Sequence, residues 1–114
     1  MDSKQNLTWN EFQKVEMYVG TILSAEVFEE VRNPAYKLTI DFGELGVRKS
    51  SAQITKLYDA KGLVGQQVLA VLNFPPKQIA TMMSECLVLG AVGENEEVTL
   101  LQPERSTKNG MRVG

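Results

Sequence analysis

Few residues in this chain have the chemistry that catalysis usually needs. The 114-residue sequence contains no histidine and one cysteine. Without histidine, Ser-His-Asp triads and Cys-His pairs are excluded, and most zinc and non-haem iron sites lose their usual ligand. Ser50 and Ser51 do not lie in a G-x-S-x-G turn. We expect Cys86 to be a small core residue whose thiol pKa is raised by the adjacent Glu85. The sequence therefore predicts a protein that is not an enzyme and has no cofactor or metal.

A candidate binding site is the loop that follows an apolar run in the middle of the chain. Asn73-Phe74-Pro75-Pro76-Lys77 comes directly after the predicted strand 68–72, and neither proline can donate a ladder hydrogen bond. At the mouth of a barrel, the Asn73 amide could read a base edge and the Lys77 ammonium could bind a phosphate. The alternative is structural: Asn73 satisfies loop backbone groups, and the prolines only terminate the strand.

Charge is distributed unevenly along the chain. The formal net charge is −2, which by itself argues mildly against a nucleic-acid partner. Residues 32–77, however, contain seven basic and three acidic residues, a net charge of +4, whereas the remainder carries −6. This segment forms a basic patch if one face holds Arg32, Lys37, Arg48, Lys49 and Lys77. The alternative is scattered charge on solvated loops.

A mostly β fold must position these residues. The T-x-x-E spacing from Thr8 to Glu11 is typical of a capping box and predicts a short N-terminal helix. Residues 17–28 are typical of a long strand, with a bend at Gly20. Further strands are predicted at 36–42, 47–51, 68–72, 87–89 and 98–101, with a helical turn at 54–58. Five or six strands with little helix indicate a small barrel or sandwich.

The length and composition indicate one domain in a reducing compartment. The chain is 43% hydrophobic, which suits a single core over residues 1–114. A lone cysteine cannot form an intrachain disulfide. No apolar run reaches the roughly 18–20 residues that span a bilayer, and the polar start, residues 1–6, lacks the apolar stretch of a signal peptide. We therefore expect a cytoplasmic location.

Four motifs, in order and at compatible spacing, resemble one family. They are KLTIDFG at 37–43, SSAQIT at 50–55, NFPP at 73–76 and LVLG at 87–90. Over about residues 12–114 the chain resembles the CsaA family, small bacterial and archaeal proteins described as secretion-related chaperones. CsaA proteins are in turn similar to the tRNA-binding domains of some methionyl-tRNA synthetases and of phenylalanyl-tRNA synthetase β-chains.

The resemblance implies a five-stranded OB-fold barrel with a short N-terminal helix and a C-terminal extension. It also implies a homodimer that binds tRNA and exposed peptide segments of unfolded preproteins, that is, an export-related chaperone. The alternative is a dedicated structure-specific tRNA-binding protein whose peptide binding is incidental.

Two sets of site residues follow from the motifs and from the patterns around them. The tRNA set combines one lysine of the basic patch, Lys49, with the positions that match the family: Lys37, Arg48, Asn73, Lys77 and Ser84. An apolar groove for hydrophobic peptide is predicted from Phe74, Ile79, Met82 and Met83, because adaptable methionines are common at promiscuous surfaces. Cys86-Leu87 stands where synthetase-type domains have Gly-Met. At Ala80-Thr81, many relatives have glycine at the second position. Both Cys86-Leu87 and Ala80-Thr81 therefore add bulk at the mouth of the barrel.

The terminal segments supply an independent argument for a dimer. Trp9, Phe12, Met111 and Val113 are apolar but lie outside the five predicted barrel strands. A barrel of this size has little spare interior, and a two-fold interface would bury these side chains.

Overall fold

A long first strand, β1 (Met17–Val27), organises the fold in the computed structural model, which describes residues 5–114. β1 pairs antiparallel with β2 (Tyr36–Asp41) on one edge and with β4 (Gln67–Val71) on the other. β3 (Val47–Ala52) continues the sheet beyond β2, and β7 (Leu87–Val88) continues it beyond β4. Because β3 and β7 also contact each other, the five strands form a nearly closed barrel. This confirms the predicted OB-fold barrel. Residues 1–4 of the polar start lie outside the described residues.

Two short helices flank the strands. In α1 (Trp9–Gln13), the Glu11 N–H donates to the Thr8 hydroxyl and the Thr8 N–H donates to the Glu11 carboxylate, both at 3.2 Å. The predicted capping box and helix are thus confirmed. The helical turn predicted at 54–58 is a hydrogen-bonded turn at 55–57, and the short helix α2 (Ala60–Leu63) follows it.

The barrel core is built from alternate residues. Tyr36, Leu38 and Ile40 are buried on one face of β2, as the alternation predicts. β1 is not interrupted at Gly20, because it pairs with β4 through that residue, and its register with β2 shifts between Ile22 and Ser24; the bend at Gly20 stays a prediction. Gly20 is needed for another reason: a Cβ there would lie 2.6 Å from the Phe42 ring.

Several short strands add to the barrel. β5 (Lys77–Ile79) and β6 (Met82–Ser84) form one hairpin, and β8 (Gly90–Val92) and β9 (Val98–Leu100) form another. At the C-terminal end, β10 (Arg112–Val113) pairs with the start of β1. The strands predicted at 87–89 and 98–101 correspond to β7 and β9, whereas β5, β6, β8 and β10 had no predicted counterpart.

Candidate ligand-binding grooves

The β5–β6 hairpin contacts β3 and carries half of the predicted site residues. Pro75 and Pro76 end the preceding strand segment and lead into β5. Three hydrogen bonds then join Ser84 and Glu85, at the C-terminal end of the hairpin, to β3. The Ser51 N–H donates to the Ser84 hydroxyl at 3.2 Å. The Glu85 N–H donates to the Lys49 carbonyl at 2.7 Å, and the Lys49 N–H donates to a Glu85 carboxylate oxygen at 3.0 Å.

One groove, which we call the apolar groove, lies between the hairpin, β3 and the proline loop. Its volume is about 320 Å³, and its walls are mainly apolar. Phe74 remains 55% exposed and Leu87 remains 48% exposed, so both side chains are available to a ligand. The lining residues are Ser51, Phe74, Pro75, Lys77, Ile79, Ser84, Cys86 and Leu87.

A second groove, which we call the lysine groove, lies over the outer face of β1, β2 and β3. Its volume is about 630 Å³. The Lys37 ammonium lies 5.4 Å from the centroid of the Phe28 ring, a cation–π contact that orients it. Within residues 5–114, neither Lys37 nor Lys49 lies in an ion pair. The lining residues are Glu26, Lys37, Leu38, Thr39, Lys49, Thr81, Met82, Met83 and Glu85.

The two sets of predicted residues are mixed between these grooves. Of the peptide set, Phe74 and Ile79 line the apolar groove, whereas Met82 and Met83 line the lysine groove. Met82 is only 9% exposed, because it packs with Phe28 in a second apolar cluster beneath the hairpin. The four residues are therefore divided between the two grooves, and their binding of peptide stays a prediction.

The tRNA set is also divided. Lys77 and Ser84 line the apolar groove, and Lys37 and Lys49 line the lysine groove. Arg48 lines neither groove, because successive strand residues face opposite sides of a sheet. It is half-buried, and its Nη1 donates to the Leu72 carbonyl at 3.4 Å. The expected single basic face that joins Arg48 to Lys49 is thus not present.

The Asn73 amide holds the N-terminal segment against the barrel. Its Nδ2 donates to the Lys14 carbonyl at 2.6 Å, and its Oδ1 accepts the Glu16 N–H at 3.0 Å. The Leu72 N–H adds a bond to the Glu16 carbonyl at 2.9 Å. Asn73 therefore satisfies backbone groups, as the structural alternative expected, but these belong to the distant N-terminal segment and not to its own loop.

The only cysteine has an environment that suppresses its reactivity. Burial raises the pKa of the Cys86 thiol to about 11, although a hydrogen bond with Ser50 and the charge of Arg48 oppose the shift. The sequence analysis attributed a raised pKa to Glu85, but that carboxylate is the weakest of the four influences. The thiol therefore stays protonated near neutral pH and is a poor nucleophile.

Comparison with known proteins identifies the family. The model of a putative tRNA-binding domain matches residues 17–112. The crystal structure of chaperone CsaA from Bacillus anthracis is 49% identical, with a TM-score of 0.92 and coverage of 96% of this chain and 99% of that one. The CsaA chaperone protein from Picrophilus torridus is 44% identical, with a TM-score of 0.89 and coverage of 96% and 100%. This chain belongs to the CsaA family.

The curated relatives of this chain are much longer proteins. Methionine–tRNA ligase of Methanococcoides burtonii is 32% identical over 107 residues, which are 94% of this chain. The chain spans only 14–16% of the length of the curated relatives it matches first. The family match thus indicates a binding domain. Within residues 5–114, no group of three or more acidic, histidine or cysteine side chains is placed to hold a metal ion. No helix there is long and apolar enough to cross a membrane.

The two positions at which the sequence departs from its synthetase-type and other relatives lie in different grooves. Cys86 forms part of the floor of the apolar groove and Leu87 part of its wall, whereas Thr81 lines the lysine groove. Ala80 has a φ angle of 51° in the hairpin turn, a left-handed conformation that glycine adopts more easily.

Several groove residues escaped the sequence analysis, and one pattern could have identified some of them. Lys49 and Ser51 share the outer face of β3, and Lys37 is the register partner of Ser51 on β2. The alternation of the two strands therefore places these three side chains on one surface. Glu26 and Glu85 carried no comparable signal.

Proposed function

We propose that this protein is a non-enzymatic, export-related chaperone of CsaA type that also binds tRNA. It acts as a homodimer in the cytoplasm. The proposal is carried by two adjacent grooves at the β5–β6 hairpin, one apolar and one with two unpaired lysines among the described residues. Unfolded preproteins expose apolar side chains and RNA exposes phosphates, so the grooves match the two ligand classes.

The apolar groove is the site for peptide. Phe74 and Leu87 present exposed apolar surface on a rigid frame, because the prolines restrict the loop and Ile79 packs into the cluster beneath the hairpin. Replacing Leu87 with serine is expected to weaken binding of a fluorescent apolar preprotein peptide about fivefold, which corresponds to the loss of part of one leucine's burial. Val92→Ser, at an exposed valine outside both grooves, is the matched control. Equal loss in both variants would contradict this assignment.

The lysine groove is the site for RNA phosphates. Lys37 and Lys49 lie on adjacent strands, and within the described residues neither ammonium forms an ion pair, although Glu26 and Glu85 line the same groove. The double variant Lys37→Gln/Lys49→Gln is expected to weaken tRNA binding and to reduce the salt dependence by about one unit per lost phosphate contact. Lys108→Gln serves as the control, because Lys108 lines neither groove. The same reduction in the control would show that the lysine groove is not the phosphate site.

Self-association covers the apolar surface formed by the two terminal segments. Trp9 is 66% exposed, and with Phe12, Val15 and Val113 it borders a separate depression. A second copy of the chain would bury these side chains against the same set in its partner. Sedimentation is expected to give a dimer for the natural chain and a monomer for Trp9→Asp. A monomeric natural chain at micromolar concentration would refute the dimer.

A dedicated tRNA-binding protein is the second candidate function, and the family match over residues 17–112 favours it. Cells that lack the protein distinguish the two functions. If export-related chaperone activity is physiological, Lys37→Gln/Lys49→Gln restores preprotein processing and Leu87→Ser does not. The reverse result would identify RNA as the physiological ligand.

A further inference from the structure

The apolar groove has polar features that an aliphatic side chain would leave unused. Ser51 and Ser84 line it together with the apolar walls. The Ser84 hydroxyl accepts the Ser51 N–H, which leaves its own proton free to donate to a ligand. The Ser51 hydroxyl has no hydrogen-bond partner among the described residues. A planar ring with polar edges would use both the apolar walls and these hydroxyls.

An exposed aromatic ring stands beside these hydroxyls. Phe74 lies directly before two prolines, which limit the freedom of its loop. Its half-exposed face is suited to stacking, because any nucleobase can stack on an aromatic side chain without sequence preference. Lys77 lines the same groove and supplies a positive charge, the kind of group that binds phosphate in nucleic-acid complexes.

The spacing of the two grooves agrees with a continuous RNA strand. Lys49 lines the lysine groove and Ser51 lines the apolar groove, two residues apart on the outer face of β3. This separation is about 6.5 Å along an extended strand, comparable to one nucleotide step. One RNA chain can therefore place a base in the apolar groove and its neighbouring phosphate near Lys49.

We propose that the apolar groove binds one unpaired RNA base, stacked on Phe74 and contacted at its edge by Ser51 and Ser84. This inference rests on the proposed RNA binding and deepens it, because it names single-stranded or looped RNA as the form recognised. It also makes RNA and apolar peptide mutually exclusive, since both occupy the groove beside Phe74.

The test compares Phe74→Leu with Phe74→Trp, using labelled single-stranded RNA, duplex RNA of the same sequence and an apolar peptide. Leucine keeps apolar surface but removes the aromatic face. Phe74→Leu is therefore expected to weaken single-stranded RNA binding about tenfold and to leave duplex binding unchanged, because a paired base has no face free to stack on the ring. Phe74→Trp is expected to retain RNA binding. In the natural protein, peptide and single-stranded RNA are expected to displace each other.

Three outcomes would overturn the inference. One is unchanged RNA binding in Phe74→Leu, and another is equal loss of RNA binding in the leucine and tryptophan variants. The third is simultaneous binding of peptide and RNA. Thermal unfolding of each variant verifies that it folds. If the natural chain binds no RNA, the proposed RNA function fails as well; if Lys37→Gln/Lys49→Gln weakens RNA binding and Phe74→Leu does not, only the base pocket fails.

Discussion

Replacing Asn73 with alanine is expected to lower stability without changing RNA affinity. The substitution removes two hydrogen bonds that join the barrel to the N-terminal segment, one to the Lys14 carbonyl and one from the Glu16 N–H. A hydrogen bond contributes about 0.5–1.5 kcal/mol net. Both bonds are exposed, so water can replace the amide and the total loss is about 1–2 kcal/mol. For a domain of this size, that loss lowers Tm by about 4–8 °C.

The measurement pairs thermal unfolding with an RNA titration at constant salt. Gln53→Ala is the control, because Gln53 is exposed and its side chain makes no hydrogen bond within residues 5–114. It is expected to leave Tm within about 2 °C of the natural value. Asn73→Asp retains the acceptor for Glu16 but loses the donor to Lys14, so an intermediate Tm is expected. A fivefold or greater loss of RNA affinity in Asn73→Ala at unchanged Tm would refute the reasoning and identify the amide as an RNA contact.

Two further predictions concern the core. Since the Cys86 pKa is raised to about 11 from an ordinary value of 9.0, folding stability is fully present below about pH 9 and falls by roughly 2–3 kcal/mol as pH rises through 11. Denaturant unfolding of Cys86→Ala should lack this fall, and the same pH dependence in the variant would contradict the assignment. Gly20→Ala places a Cβ 2.6 Å from the Phe42 ring and is expected to cost about 1–3 kcal/mol. Gly62→Ala, where a Cβ meets nothing within 4 Å, is the control, and equal effects would exclude a packing cause.

The parts of the fold that depend on local chemistry could be predicted from the residues alone. The alternation in β2 predicted which side chains enter the core, because a strand has a period of two residues. Thr8 and Glu11 specified the start of α1 through bonds that span three residues. Ordered motifs along the chain also indicated the family, because they combine many such local constraints.

The arrangement of the site, in contrast, depends on contacts between segments that are far apart in the chain. Asn73 bonds to residues 57 and 59 positions away, so its sequence neighbours could not reveal its role. The three-residue strands β5 and β6 are too short to show a clear period, although their hairpin separates the predicted residues into two grooves. Arg48 and Lys49 are adjacent in sequence but face opposite sides of β3. In each case long-range packing selects the neighbours of a side chain, and those contacts form only when distant segments of the chain meet.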